Sequence, residues 1–210
     1  MSKFTNAILM GFGLLAGTTL AMGQIPQANV YFGLGTATAD SNGQSLDVFG
    51  TGTPLNTPKL TGLFADVGGS LMLTPHYGVG AQYSWRTSQG NYAGLDYRPM
   101  FYDFNGIWQP VKTSRFVPEL QAGIGGTRIK FTQSAQSCDQ LVGCNTFIVG
   151  QESANHFQAH FAAAARLYVT PRIFIRPAVD AHWVNNFFQF GSNWVPQYSI
   201  GVGYSFGGGE

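Results

Sequence analysis

Charged side chains are scarce in this 210-residue chain. Asp, Glu, Lys and Arg make up 10% of the residues, against about 25% in an average soluble domain. There are 11 basic and 10 acidic residues, so the basic excess expected of a nucleic-acid-binding protein is missing. Hydrophobic residues reach 44% and the net charge is near zero, which argues against a disordered chain. The 28 glycines, with so little charge, are atypical of a helical bundle or a cytosolic enzyme.

The first residues indicate export from the cytoplasm. Lys3 supplies a positive charge, residues 7–20 form an apolar stretch, and Ala21-Met22-Gly23 has the small-x-small pattern of a cleavage site. We therefore predict a cleaved signal peptide over residues 1–23 and a single domain over residues 24–210. The alternative is a retained anchor or a buried helix, but the uncharged run is shorter than the roughly 20 residues that a spanning helix needs. No later apolar run is long enough either.

Apolar residues alternate with polar or small residues along most of the remaining chain. In the last segment, Tyr198, Ile200, Val202, Tyr204 and Phe206 share one face, while glycine and serine dominate the other. This period of two is that of a β-strand with one apolar face. Eight segments show it, at residues 28–38, 61–73, 77–88, 95–108, 115–131, 155–169, 172–184 and 197–206. The phase slips near Pro99–Met100 and near Gly125–Gly126, where we expect β-bulges.

The connections between these segments alternate in length. Tight turns at residues 74–76, 109–114 and 170–171 alternate with longer loops at residues 39–60, 89–94, 132–154 and 185–196. Short turns at one end and long loops at the other predict an all-β fold, a closed antiparallel up-and-down barrel of about eight strands. We find no internal repeat that would indicate a second domain.

The scarcity of charge predicts which face of the strands points outward. A soluble barrel needs charged outer faces, so we predict a transmembrane β-barrel whose apolar faces contact lipid. Aromatic residues near the strand ends (Tyr83, Trp85, Tyr97, Trp108 and Trp183) are expected to form its two interfacial girdles. The alternative is a secreted soluble sandwich with the same residues in its core.

The C-terminal segment carries the most specific pattern. Residues 199–206 resemble the terminal β-signal of bacterial outer-membrane proteins, with Ser199, Gly201, Tyr204 and Phe206 at the patterned positions. Members of that family usually end on the aromatic residue, whereas four residues follow it here. Over roughly residues 28–206, the chain thus resembles the small OmpA/OmpX-like eight-stranded barrels.

This resemblance implies a location and partners. It implies an integral, monomeric protein of a Gram-negative-type outer membrane. Its partners would be the barrel-assembly machinery during biogenesis, and the lipid bilayer and lipopolysaccharide afterwards. The fold hosts many unrelated functions, so it implies the location more strongly than any activity.

Cys138 and Cys144 are the two cysteines, and both lie in the predicted loop at residues 132–154. Two cysteines six residues apart are readily bridged in an oxidising periplasm, so we predict a disulfide that stiffens this loop. The alternative is a pair of free thiols. A metal site is not expected here, because the loop lacks histidine and offers only Asp139 as a nearby further ligand.

Charged residues on the polar faces of the strands are predicted to meet in the lumen. They are Asp66, Arg86, Arg98, Asp103, Glu119, Arg166, Arg176 and Asp180, with His160 and His182 among them. Eight strands enclose space barely wide enough for side chains, so opposite charges should pair there and plug the barrel. A proton-linked or ion-selective pore is the alternative.

One segment is similar to a catalytic motif. His182-Trp183-Val184-Asn185-Asn186 is similar to the His-x-Ser motif of barrel hydrolases that modify lipid A. Val184 stands where the nucleophilic serine should be, and His182 is predicted to face inward, away from a lipid substrate. We therefore predict no catalysis and no cofactor or metal ion.

The function then expected is a structural or surface-interaction role through the loops at residues 39–60, 132–154 and 185–196, toward an unidentified surface ligand. A small porin-like channel or carrier for small or hydrophobic solutes is the alternative, since glycine-rich walls leave some free lumen.

Overall fold

The computed structural model describes residues 27–39, 45–47, 52, 54–56, 58–92, 95–139, 143–187 and 190–207. The strands in these ranges are β1 (Ala28–Ala37), β2 (Ser45–Leu46), β3 (Leu55–Asn56), β4 (Leu63–Met72), β5 (Tyr77–Arg86), β6 (Gly90–Tyr92), β7 (Leu95–Trp108), β8 (Phe116–Asp139), β9 (Gly143–Tyr168), β10 (Ile173–Val184) and β11 (Trp194–Phe206). Across the same residues, no helix is both long and apolar enough to cross a membrane. The predicted signal peptide, residues 1–23, lies outside the described part of the chain.

Eight long strands form a closed antiparallel ring. In sheet order they run β5, β4, β1, β11, β10, β9, β8 and β7, and β7 pairs in turn with β5. Long strands that are consecutive in the chain are neighbours in the ring, and the pairing of β1 with β11 joins the two ends. The short β6 pairs with the start of β7, while β2 and β3 form a separate two-stranded sheet. The predicted eight-stranded up-and-down barrel is confirmed.

The seam between β1 and β11 closes the barrel. Ala28 lies opposite Phe206, and the register is unbroken over the whole of β1. Within the predicted assembly signal, Ser199 and Gly201 share the inward face of β11, and Tyr204 and Phe206 share its outward face. The rings of Tyr204 and Phe206 lie 4.7 Å apart, and Phe206 is half exposed. The last aromatic residue of the pattern therefore lies on the outer surface, at the short-turn end of the seam.

Apolar side chains cover the outside of all eight long strands. Large exposed hydrophobic residues alternate along these strands with buried, mostly polar ones. This arrangement is that of a barrel in lipid and the reverse of a soluble one, so it excludes the secreted sandwich. The outward residues include Val30, Phe32, Leu34, Leu63, Val67, Val79, Tyr102, Phe104, Leu120, Ile124, Phe157, Phe161, Ile173, Val179, Ile200 and Val202.

Most of the aromatic residues predicted for the girdles lie on the outer face. Tyr83 and Trp108 are exposed there, and Trp85 and Trp183 are partly exposed on the same face. The prediction is wrong for Tyr97, which is 1% exposed. Odd-numbered residues of β7 point into the barrel, and Tyr97 is one of them.

Strands β8 and β9 are longer than the sequence predicts. They contain 24 and 26 residues, and they convert most of the predicted loop at residues 132–154 into a β-hairpin. Pairing continues as far as Asp139 opposite Gly143. Alternation does not reveal this extension, because small and polar residues occupy both faces of residues 132–137. Similarly, β6 lies within the predicted loop at residues 89–94.

The β-bulges predicted near Pro99 and Gly125 are not found in the pairing of β7 with β8. That pairing runs without interruption along both strands, and the register shift of β8 lies instead between Gln133 and Ser134, opposite β9. Gly125 has a different role, since a Cβ at this position would overlap the backbone carbonyl of Tyr102 on the neighbouring strand. Here glycine permits a close approach of two strands.

We expect Phe206→Ala to lower the amount of assembled barrel and deletion of residues 207–210 to be tolerated. Phe206 ends the matched pattern on the lipid face, and the deleted residues follow it. Closed barrels resist unfolding by SDS because their backbone groups are all paired, so the fast-migrating band of unboiled membrane fractions measures assembly. Phe157→Ala, an equally exposed outward residue of β9, is the control. Assembly that fails on tail deletion but survives Phe206→Ala would contradict this placement of the signal.

Candidate functional site

Three layers of side chains fill the barrel. An apolar layer lies beside the long loops, a layer of histidines and carboxylates lies in the middle, and a layer of arginines around Glu119 lies toward the short turns. Each layer draws residues from several strands, because the strands of a barrel are tilted and staggered. Residues far apart in sequence therefore meet at the same level along the barrel axis.

The apolar layer closes the end of the barrel that carries the long loops. Its members are Ala37, Ala39, Leu60, Phe64, Tyr97, Phe101, Ile129, Val184, Phe187, Phe190 and Val195, all at most 8% exposed. Phe187 and Phe190 follow β10, and their rings stack at 4.5 Å. The segment at residues 185–196, predicted to be a surface loop, thus folds partly into the mouth. The four aromatic residues of this segment are the feature of the sequence that could have predicted its burial.

Glu119 is the centre of the lowest layer. Its Oε1 pairs with Arg166 and its Oε2 lies 3.4 Å from Nε of Arg176, so one carboxylate faces two guanidinium groups. The Arg176 guanidinium also lies 4.3 Å from the centre of the Tyr31 ring, and Arg166 donates to Oγ of Ser70 over 3.1 Å. All three charged side chains are at most 3% exposed, so each depends on its partners to offset the loss of hydration.

The middle layer contains two buried histidines and two buried carboxylates. Nε2 of His160 lies 3.0 Å from Oδ1 of Asp180, and Nδ1 of His182 lies 3.8 Å from Oδ2 of Asp103. The two imidazole rings stack with centres 4.8 Å apart. Gln158 joins the pairs, because its Nε2 donates to Oδ1 of Asp103 and lies 3.2 Å from Nδ1 of His182. The sequence placed both histidines in the lumen but gave no sign that they stack.

Two other predicted lumen charges, Asp66 and Arg86, form no salt bridge among the described residues. Asp66 is 1% exposed, and neither of its carboxylate oxygens has a hydrogen-bond partner among the described residues. It lies beside Gly33, where a Cβ would overlap its carboxylate. Arg86 lies higher, where it donates to the carbonyl oxygen of Lys59 over 3.2 Å and lies over the Tyr97 ring. Arg86 thus ties a long loop to the mouth of the barrel.

The inward placement predicted for Arg98 is wrong. Asp103 faces inward, and β7 alternates without a bulge, so Arg98 falls on the opposite face. There it lies opposite Lys130, and the next outward residue of β8 toward the short turns is Arg128. We call Arg98, Arg128 and Lys130 the outer cationic cluster. The described part of the chain shows no salt bridge to any of the three.

Two further predicted features are placed by the strand register. Cys138 lies opposite Cys144 in the pairing of β8 with β9, and the disulfide between them stays a prediction. His182 and Val184 are buried on the inward face of β10. The segment similar to the lipid A hydrolases therefore presents neither a nucleophile nor its histidine to the lipid side.

The comparisons with known proteins concern the fold. No protein family and no curated protein matches the sequence. Similar solved structures include the outer membrane protein OprG from Pseudomonas aeruginosa, at 14% identity and a TM-score of 0.55, covering 88% of this chain and 98% of that one. Neisserial surface protein A is 12% identical with a TM-score of 0.54, covering 88% and 100%.

A third similar structure is Ail, the attachment invasion locus protein of Yersinia pestis, in complex with the heparin analogue sucrose octasulfate. It is 13% identical with a TM-score of 0.52, covering 86% of this chain and 99% of that one. The fold is that of the small eight-stranded outer-membrane β-barrels, the class that the terminal pattern predicts. With its apolar outer surface, the protein is an integral β-barrel, as a location in an outer membrane requires.

We expect Glu119→Ala to destabilise the barrel by about 3–5 kcal/mol, because it leaves two buried guanidinium groups without their carboxylate. Arg176→Ala should cost less, since Glu119 keeps Arg166. Denaturant unfolding in micelles, followed by tryptophan fluorescence, measures both changes. Glu152→Ala, which removes an exposed carboxylate from the β8–β9 hairpin, is the control. Equal stability of the Glu119 and Glu152 variants would show that the ion pairs contribute nothing.

Proposed function

We propose that this protein is an outer-membrane barrel that acts at the cell surface through its loop end, without catalysis and without passing solutes. The proposal rests on the contrast between the filled interior of the barrel and the hairpin that projects from its loop end. The interior is filled from the mouth to the short turns, while the β8–β9 hairpin continues well beyond the other strands. The alternative of a small channel or carrier has less support, because it needs an open path.

The filled interior supports a closed barrel. Aromatic side chains occupy the mouth, and below them salt bridges cross the lumen between Glu119 and two arginines and between Asp180 and His160. A small cavity lies among residues such as Tyr31, Ser70, Glu119, Arg166 and Arg176, with room for little more than one water molecule. Such a space does not connect the two ends of the barrel.

The β8–β9 hairpin supports a role in surface contacts. β7 first pairs with β8 at Thr132, and β10 last pairs with β9 at Gln158. Beyond these positions the described parts of β8 and β9 continue to pair with each other without a neighbouring strand. About seven further residues of β8 extend it by roughly 20 Å at about 3.3 Å per residue. Ile148 and Val149 are 63% and 59% exposed on this part. We propose that a Cys138–Cys144 disulfide closes its end, since the register sets the two residues opposite each other.

The loop charges indicate the chemistry of a surface partner. The loops at residues 39–60, 132–154 and 185–196 contain four carboxylates (Asp40, Asp47, Asp139 and Glu152) and a single cation, Lys59. A polyanionic ligand such as the heparin analogue bound to Ail does not suit this balance. Uncharged polar and apolar residues dominate instead, so the partner proposed is a protein or a neutral glycan.

The outer cationic cluster supports lipopolysaccharide as a lipid partner. On β8, Ile124 lies in the apolar belt and Arg128 follows four residues later, toward the long loops. About ten residues of a tilted strand cross the apolar band. Trp108 marks the short-turn end of β7, and Arg98 lies ten positions before it. The cluster therefore lies near the boundary of the apolar band on the side of the long loops. Cations that form no salt bridge within the described part of the chain suit, at that level, the phosphate groups of the outer leaflet.

We expect no steady conductance from the refolded protein in a planar bilayer. We expect the same of a variant in which residues 134–149 are replaced by Asn-Gly, which joins the paired residues Gln133 and Gly150 through a two-residue turn. Both proteins should show the fast-migrating band of a closed barrel in unboiled SDS samples. A stable, resolved wild-type conductance would refute the closed barrel and favour the channel.

The same pair of proteins tests the role of the hairpin. Cells displaying either protein are applied to arrays of neutral glycans and of host surface proteins. Binding by the wild type that the shortened variant loses, at equal surface display, is the expected result. Binding that survives the replacement would contradict the role assigned to the hairpin.

We expect vesicles containing lipid A to raise the unfolding temperature of the wild type above its value in vesicles of zwitterionic phospholipid. In the triple variant Arg98→Gln, Arg128→Gln, Lys130→Gln, this increase should disappear. A matched variant with Lys112, Arg115 and Arg172 changed to Gln, at the short-turn end, should keep it. The same increase in both variants would contradict binding of phosphate by the cluster.

A further inference from the structure

The lumen contains more negative than positive charge at its centre. Because Arg98 faces outward, the charged side chains that the described strands place in the lumen are four carboxylates, of Asp66, Asp103, Glu119 and Asp180, and three guanidinium groups, of Arg86, Arg166 and Arg176. Glu119 takes two of these arginines, and Arg86 lies at the mouth. Among the described residues, the salt bridges of the middle-layer carboxylates are to histidines, and Arg176 adds a longer-range attraction to Asp180.

Three side chains of this layer converge. Asp103, His160 and His182 each offer one nitrogen or oxygen atom, and these atoms all lie within 4.8 Å of one another. They come from β7, β9 and β10, and all are at most 2% exposed. Movements of less than about an ångström by each side chain would bring the three atoms to the 2.0–2.2 Å distance of zinc ligands.

One buried carboxylate oxygen of the cluster lacks a donor. The amide nitrogen Nε2 of Gln158 carries two N–H groups, so it can donate both to Oδ1 of Asp103 and to Nδ1 of His182, which lies 3.2 Å away. Oδ2 of Asp103 has no hydrogen-bond partner among the described residues, although the residue is buried, and it lies 3.8 Å from the same Nδ1. A buried acceptor without a donor is costly, and a cation at this place would satisfy it.

Asp180 provides the support that a ligating histidine needs. Nε2 of His160 lies 3.0 Å from Oδ1 of Asp180, which leaves Nδ1 of His160 as the ligating atom. That Nδ1 is now 2.8 Å from Oδ1 of Asn105, a neutral side chain that can move aside or remain close to the ion. A carboxylate behind a histidine is a common outer-shell arrangement at metal centres, because it orients the ring and makes it more basic.

We propose that Asp103, His160 and His182 form a binding site for a divalent first-row metal ion, with Zn²⁺ the best match to two imidazoles and one carboxylate. Asp180 is a positioning residue for His160. The ion would neutralise the excess of carboxylates in the middle layer and join β7, β9 and β10. Because the apolar layer closes the mouth of the folded barrel, the metal ion would enter during folding. The site does not depend on the surface role proposed above.

The test is refolding of the protein in detergent micelles with Zn²⁺ or with Co²⁺, followed by removal of free metal with a weak chelator. We expect about one equivalent of metal per folded barrel by elemental analysis, and a visible Co²⁺ absorption that indicates nitrogen and oxygen ligands. Zn²⁺ should also raise the denaturant midpoint, since it binds the folded state. His76→Gln, which removes an exposed histidine from a turn, should behave like the wild type.

His160→Gln, His182→Gln and Asp103→Asn should each abolish retention of metal, and Asp180→Asn should weaken it by roughly 10–100-fold. The fast-migrating band of unboiled SDS samples shows which variants are folded. Where a variant does not fold, the stoichiometry and the Co²⁺ absorption of the wild type and the His76→Gln protein decide. No metal on the folded wild type, or equal retention by folded His160→Gln and His182→Gln, would overturn the site.

Discussion

The hydrocarbon of a bilayer offers no hydrogen-bond partner to the peptide backbone, and the rest of this structure depends on that constraint. It requires β1 to pair with β11, because an open sheet would leave one row of N–H and C=O groups unpaired on each edge. Closure in turn separates two environments. The outward residues of the apolar belt meet lipid. The inward residues meet mainly one another, so mutual contacts decide which side chains can be accommodated there.

The small circumference of an eight-stranded ring explains why those contacts are dense. A barrel of this size has room for side chains but hardly for solvent, so every inward charge must find its partner inside the protein. Glu119 meets this requirement by facing two arginines, and Asp180 by contacting His160. Because Gly33 has no side chain, the Asp66 carboxylate can occupy the space beside it. The same side chains thus fill the lumen and pair its charges, except where the Asp66 carboxylate and one oxygen of Asp103 lack a hydrogen-bond partner among the described residues.

Sequence alternation predicted the eight strands and the inward position of seven of the eight proposed lumen charges. It succeeded because lipid on one side and a crowded lumen on the other impose a strict period of two. Arg98 was misplaced because a bulge was expected near Pro99, whereas this proline lies in an uninterrupted strand. The alternation of the sequence predicts which face of a strand a residue occupies, but not its position along the barrel axis. The stacking of His160 on His182 therefore could not be predicted.

The far part of the β8–β9 hairpin was missed for a related reason. Above the membrane both faces of a sheet meet water, so the alternation that identifies a strand disappears although the pairing continues. Phe187 and Phe190 were missed because a loop was expected to be exposed, whereas an apolar segment next to an open mouth buries its rings there.

The different surroundings of the two sets of cations give them opposite sensitivities to ionic strength. Arg166 and Arg176 lie beneath the apolar layer at the mouth and are buried, so mobile ions cannot screen their attraction to Glu119. Arg98, Arg128 and Lys130 lie at the outer surface, where a Debye length of about 8 Å at physiological salt limits their reach. The ion pairs in the core of the barrel are thus insensitive to the salinity of the medium, whereas the attraction proposed between the outer cationic cluster and lipid phosphates would weaken as salt rises.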